Sequence, residues 1–295
     1  MGLVVLFASA FPVATAVGIR EVPVTFQNEG MTLRGILTYP ESLYPERPAI
    51  LLLHGFMGQK NEAPIIGINE CMFERTARKL SEAGYITLRF DFRGSGESEG
   101  KLEDTTFTGQ ISDTLAAIEF MRKNQHVNPK KIGLIGLSQG GLVAACAAAK
   151  AHVGSVVLWS PLADPAYTCL QTMGSDVIEA AYEAGSVTFM MPWGVECMLK
   201  RSYFEEIFTV FPLVEISKFS GPLLVIVGEN DALVSPQPEW GYAYLIAHTG
   251  VEESHVLHAD HLFDVLSGEG PADLDDVIGA SIRWFDTSLV RAQAP

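Results

Sequence analysis

The chain is poor in several things that would place it in a broad class. Four cysteines stand among 295 residues, at positions 71, 146, 169 and 197. No two have C-x-x-C spacing, so neither a zinc ribbon nor a dithiol redox motif is encoded. Cys146, inside an alanine-rich run, reads as a small core residue. A Cys169–Cys197 bridge is compatible with the sequence, but nothing in the spacing argues for it. Positive charge is scarce: 20 Lys and Arg against 35 Asp and Glu give a formal net charge of −15. With no basic stripe, nucleic acid is not an expected partner. Internal repeats, low-complexity tracts and interdomain linkers are also lacking. One apolar, uncharged stretch, Gly2 to Val17, stands at the start. Ala14-Thr-Ala16 within it resembles a small-residue cleavage site, yet a basic n-region is missing. The stretch is short for a membrane span, so no stable span is expected. Cleavage of residues 1–16 as a signal peptide would make the protein secreted or periplasmic; an extra apolar segment instead would leave it cytoplasmic.

What is present is the composition of a globular protein, 48% hydrophobic, long enough for a sizeable core. The most informative stretch is Lys131 to Lys150. Ile132 to Leu137 reads as a buried strand, and Gly141 to Lys150 as a helix packed close to a sheet. Between them lies Gly136-Leu-Ser138-Gln-Gly140, a match to G-x-S-x-G. A strand that reverses into a helix within one residue forces strained backbone there. Side chains two positions either side would collide, and glycine removes the collision. Ser138 is left exposed at the tip, with the positive end of a helix aimed at the same spot.

The rest of the chain alternates strand and helix. Val22 to Asn28 and Met31 to Tyr39 suggest a hairpin around Glu29-Gly30. Ala49 to Leu53, Tyr85 to Phe90, Ser155 to Trp159, Gly221 to Val227 and Ser254 to Leu257 read as further strands. Glu70 to Ala83, Ile111 to Lys123 and Asp275 to Leu289 read as helices, with Asn128-Pro129 as a breaker. The pattern predicts an α/β fold with a mainly parallel sheet covered on both faces. Pro161 to Lys218 breaks the alternation and is rich in Met and aromatic residues. The expected organisation is an apolar N-terminal segment over 1–20, a core from 21–161 and 219–295, and an inserted cap over 162–218.

His54, Asp91, Ser138, Asp231 and His261 all fall just after expected strands, where such sheets collect functional groups. A serine hydroxyl needs an adjacent base. His255, His258 and His261 cluster at the last strand, but positions three apart on a strand face opposite sides, so a metal site is not expected. His261 is the preferred base and His258 the alternative. His54 is expected to be a structural member of its loop. Asp231, in the turn Gly228-Glu-Asn-Asp231, would orient the base, with Glu229 as the alternative acid. The oxyanion donors would be the backbone N–H groups of Gln139 and Phe56. The segment Asp91-Phe-Arg-Gly-Ser-Gly-Glu-Ser98 falls short of a dinucleotide loop and reads as a structural turn, so no cofactor is expected.

Together, His54-Gly-Phe, Phe90 to Ser98, Gly136-Leu-Ser-Gln-Gly-Gly141, Gly228 to Asp231 and Ala259-Asp-His-Leu-Phe263 resemble the α/β-hydrolase superfamily. Within it the chain resembles bacterial cinnamoyl/feruloyl esterases and related small carboxylesterases, from about Val22 onward. The resemblance implies the α/β-hydrolase fold with a cap inserted after the sixth strand. It also implies Ser138 as nucleophile, Asp231 and His261 as its partners, and Phe56 and Gln139 as oxyanion donors. The insertion has no clear match to the polar residues that grip a phenolic hydroxyl in the feruloyl enzymes. The expected activity is hydrolysis of a small-molecule carboxylic ester through an acyl-enzyme. The alternatives are a serine peptidase or acyl-aminoacyl hydrolase, and a non-catalytic binding protein on the same scaffold. A homodimer is left open.

Overall fold

The computed structural model of the chain describes residues 18–40, 46–267 and 270–291. The candidate cleavage segment, 1–16, lies outside the described residues. Strands β1 (Ile19–Asn28) and β2 (Met31–Pro40) open the fold. They are followed by β3 (Arg47–Leu53), α1 (Met72–Glu82), β4 (Ile86–Phe90), α2 (Phe107–Arg122), β5 (Val127–Leu137), α3 (Gln139–Ala148) and β6 (Ser155–Trp159). Next come α4 (Pro165–Met173), α5 (Ser175–Ala184), β7 (Ser186–Met190), β8 (Glu196–Lys200), α6 (Arg201–Glu206) and α7 (Pro212–Ile216). The chain then returns through β9 (Leu223–Gly228), α8 (Glu239–Ala247), β10 (Glu252–Leu257) and α9 (Ala272–Phe285).

Eight strands form one sheet in the order β1-β2-β4-β3-β5-β6-β9-β10. Strand β2 runs against both its neighbours, and the pairs from β4 to β10 are parallel. The hairpin turns at Glu29 and Gly30, both with positive φ, as a two-residue turn matched to strand twist requires. Ile19 and Arg20 already pair with β2, so the sheet begins two residues inside the segment expected to be separate from the core.

Parallel central strands are buried on both faces, and their side chains divide accordingly. Leu51, Leu53, Leu134, Val156, Leu158 and Val225 pack on one face, against α2 and α3. Ile50, Leu52, Ile135, Val157, Trp159 and Ile226 pack on the other, with residues of α1 and α9. Strand β5 runs through Asn128-Pro129 rather than stopping there. Its register against β3 shifts between Arg47 and Ala49, which accommodates a proline with no N–H to donate. Helix α2 starts at Phe107, four residues ahead of the expected Ile111; the Thr106 side chain accepts the Gly109 N–H and caps it.

The centre of the sheet depends on close approach between β3 and the start of α3. A Cβ on Gly140 would lie 2.1 Å from the Leu53 carbonyl oxygen and 2.5 Å from that of His54. Both obstacles are backbone, so neither can swing aside. Gly140→Ala is therefore expected to destabilise the protein by more than about 3 kcal/mol, or to prevent folding. A urea midpoint like that of the wild type would contradict this reading of the packing.

Candidate active site

Ser138 sits at the carboxyl end of β5, in the middle of the sheet, and immediately precedes α3. Its backbone is at φ 56°, ψ −120°, a conformation a side-chain-bearing residue holds only when its surroundings impose it. Backbone bonds on both sides of the residue do so. Its N–H donates to the Trp159 carbonyl on β6, and its own carbonyl accepts from Gly141 and Leu162. The hydroxyl is thereby presented at the N-terminus of α3, where helix N–H groups and the macrodipole favour negative charge.

The loops after β9 and β10 are stitched together by their backbones. Glu229 donates to Leu257, and Asn230 to Ala259. Gly228 makes this possible, since a Cβ there would be 2.3 Å from the Ala259 oxygen. The result brings Asp231 and His261 into contact, with Asp231 Oδ2 2.6 Å from His261 Nδ1. Asp231 is 4% exposed and His261 8%. The other Asp231 oxygen, Oδ1, accepts the N–H groups of Leu233 and Val234 at 2.9 and 2.8 Å. A carboxylate held on both oxygens leaves the imidazole one tautomer: Nδ1 donates, and Nε2 is free to accept a proton.

Ser138 and His261 line one cavity of about 500 Å³. Among the described residues the Ser138 hydroxyl makes no hydrogen bond, to His261 or to anything else. Contacts of this kind are often long before substrate binds and tighten in the complex. The backbone N–H of Phe56 likewise donates to no described residue. The Gln139 N–H belongs to the first residue of α3, where no carbonyl lies one turn earlier in the helix. Gly55 abuts the serine: a Cβ there would be 3.5 Å from Ser138 Cβ, ordinary contact distance.

The alternative residues lie elsewhere. His258 pairs with Glu229 at 2.6 Å on the surface, and His255 with Asp276 at 2.8 Å. The three histidines of the cluster thus point to three different acids. Among the described residues no group of three or more His, Cys, Asp and Glu is placed to hold a metal ion. His54 is 1% exposed; its Nε2 accepts the Phe92 N–H and its Nδ1 faces the Gly55 carbonyl. Burial pushes its pKa down to about 4, so it stays neutral as a structural member of the loop. All four cysteines, Cys169 and Cys197 included, are free thiols.

Asp91 anchors the turn after β4. It is fully buried, and its carboxylate accepts the backbone N–H of Lys60, the Lys60 ammonium and the Glu97 N–H. Burial opposes the charge on Lys60, but bonds to Asp91 and Glu97 outweigh it and raise its pKa. The knot ties the loop after β3 to the loop after β4, beside the site.

The segment between β6 and β9 supplies the far wall of the cavity. Met173, Met191 and Trp193 come from it, and Phe56, Leu233 and Leu266 face them from the core. Sequence reasoning missed the β7–β8 hairpin, whose turn carries Met191 and Trp193, and missed how this segment is fastened. The Tyr203 hydroxyl on α6 donates to Gln139 Oε1 at 2.9 Å, and Gln139 Nε2 donates to Gln110 on α2 at 2.8 Å. Tyr203 also packs against Phe56 and Phe107. One tyrosine thus holds both residues expected to supply oxyanion donors. Glu62, which lines the cavity and accepts the Gly55 N–H at 2.9 Å, was also missed. A lone glutamate in a loop carries no sequence signal of that role.

A family model described as alpha/beta hydrolase fold matches residues 48–183. The solved structure of Est1E from Butyrivibrio proteoclasticus, with ferulic acid bound, is similar at a TM-score of 0.69 and 22% identity, covering 90% of this chain and 99% of that one. The alpha/beta hydrolase GrgF from Penicillium sp. sh18 gives a TM-score of 0.74 at 20% identity, covering 92% and 99%. An uncharacterized 31.7 kDa protein from the traX-finO intergenic region of Escherichia coli is 25% identical over 280 residues, 83% of this chain and 92% of that protein.

Proposed function

We propose that this chain, an α/β hydrolase that resembles bacterial esterases, is a serine carboxylic-ester hydrolase with Ser138, His261 and Asp231 as its catalytic triad. The observation that carries the reading is the Asp231–His261 contact of 2.6 Å, with His261 lining the same cavity as Ser138. In the first half-reaction His261 Nε2 takes the Ser138 proton as Oγ attacks the ester carbonyl carbon. The imidazolium, steadied by Asp231, then protonates the leaving alcohol. In the second, water gives a proton to the same imidazole as it attacks the acyl carbonyl carbon, and the imidazolium returns that proton to Oγ as the acid leaves, restoring Ser138. The oxyanion formed each time would rest on the N–H groups of Phe56 and Gln139, a pair in which losing one donor costs about 10²–10³ in rate.

The cavity supports a substrate class as well. Its size suits a small organic ligand, and its walls are mainly apolar, with flexible methionines that adapt to varied shapes. Residues 162–218 act as the cap that encloses the acyl or aryl group. Aryl esters are included in that class because the similar structure Est1E was solved with ferulic acid bound. The test is turnover of a panel of p-nitrophenyl and hydroxycinnamoyl esters by the purified protein. Esters of apolar acids are expected to be cleaved faster than matched amides. Failure to cleave any ester of any chain length would overturn the assignment.

A further inference from the structure

Glu62 lies in the loop between β3 and α1, in an unusual setting for a carboxylate. Its backbone has φ 59°, and Met57 in the same loop has φ 58°, so the segment is held against its own preference. The side chain folds back under the start of the loop, where Oε2 accepts the Gly55 N–H. Room for it exists because residue 58 is glycine: a Cβ there would stand 2.7 Å from Oε1 and 2.8 Å from Oε2. The residue as a whole is half-buried, its carboxyl is desolvated, and it lines the same cavity as His261 and Ser138.

We infer that Glu62 is a positioning residue of this site, coupling the set of the Gly55–Phe56 segment to the charge on His261. The inference rests on the triad reading above. As a carboxylate it accepts the Gly55 N–H and so fixes the peptide next to the Phe56 N–H. It also offers the imidazolium a second negative charge besides that of Asp231. When it is protonated, the acceptor weakens and that charge is lost.

The electrostatics agree with this role. Burial raises the Glu62 carboxyl, opposed by the Gly55 N–H and by the charge of His261, and the balance is a pKa of about 7. That balance makes the charge on Glu62 depend on the charge His261 presents to it. The other ionisable groups around them are otherwise engaged. Lys60 is bound to Asp91 and Glu97, and His54 is neutral. Asp231 is committed to His261 and two N–H groups. Across the cavity, burial pushes the Cys169 thiol up to about 12 and the Tyr203 phenol well above its usual value, so both are uncharged.

The test uses the rate at which a fluorophosphonate labels Ser138 between about pH 5 and 9, which needs no knowledge of the substrate. In that reaction the Oγ–P bond forms and the P–F bond breaks. Fluoride leaves, and the serine proton passes to His261. In the wild type the acid limb should report two coupled ionisations. In Glu62→Gln it should collapse to one, its midpoint about half a unit or more lower, because the imidazolium has lost a neighbouring carboxylate. A merely structural role would lower the rate equally at every pH and leave the midpoint unmoved, which would overturn the inference. Should Glu62→Gln fail to fold, ¹³C NMR of glutamate-labelled wild type decides. One carboxyl titrating near neutrality is expected, and all of them in the ordinary range would refute the idea. Absence of labelling in the wild type would remove the nucleophile reading, and this inference with it. Labelling with an unmoved midpoint would overturn this inference alone.

Discussion

Replacing Ser138 with alanine is expected to lower ester turnover by about 10⁵-fold or more, while leaving the melting temperature within a degree or two of wild type. The two halves of this expectation come from the same geometry. In the proposed mechanism the Ser138 oxygen is the one atom whose work neither the proposed oxyanion donors nor the cavity can take over, and removing it would leave only their residual contribution. The hydroxyl nevertheless contributes little to the fold, since it makes no hydrogen bond with any described residue. The strain at φ 56° is the same for alanine as for serine. Steady-state kinetics and calorimetry on the variant check both halves. Retained turnover would remove Ser138 from the mechanism.

Asp231→Asn is expected to cost about 10³–10⁴ in kcat, with KM for a p-nitrophenyl ester changed little. The reason lies in how the carboxylate is divided. Oδ1 is occupied by the N–H groups of Leu233 and Val234, so the amide oxygen of asparagine must take that place. Its NH₂ group then faces His261 Nδ1 and forces that nitrogen to accept. The remaining imidazole proton moves to Nε2, where a base would need a lone pair. The change is in the tautomer, not in the packing, and the variant should fold normally. A variant with more than a tenth of wild-type kcat would mean that Asp231 does not orient the base.

Much of the candidate site's geometry was legible in the sequence because strand ends carry strong local signals. Aliphatic runs as short as Ala49 to Leu53 and Ser155 to Trp159 read as strands buried on both faces, and a parallel sheet gathers the loops at their carboxyl ends along one edge. The turn Gly228-Glu-Asn-Asp231 and the loop at Ala259-Asp-His261 came from that rule, and the structure brings Asp231 and His261 to 2.6 Å. What escaped the sequence depended on contacts between distant segments. Hairpin β7–β8 is short and half-exposed, with no strict alternation to mark it. Helix α8, Glu239–Ala247, is apolar nearly all round, so no helical stripe announced it. Phe107, Thr108 and Gly109 hid the first turn of α2, since glycine and β-branched residues disfavour helix interiors. Glu62 and Tyr203 owe their roles wholly to what lies opposite them, Gly55 in one case and Gln139 in the other.

Covalent chemistry at one oxygen is the centre of the account, and rapid-quench mass spectrometry reads it directly. Mixed with a p-nitrophenyl ester of an apolar acid and quenched within the first turnover, the intact protein should gain the mass of one acyl group. Peptide mapping should place that group on Ser138, and the Asp231→Asn variant should acquire it far more slowly. Rapid release of p-nitrophenol with no acyl mass on the protein, or with the mass on any other residue, would contradict the proposed mechanism.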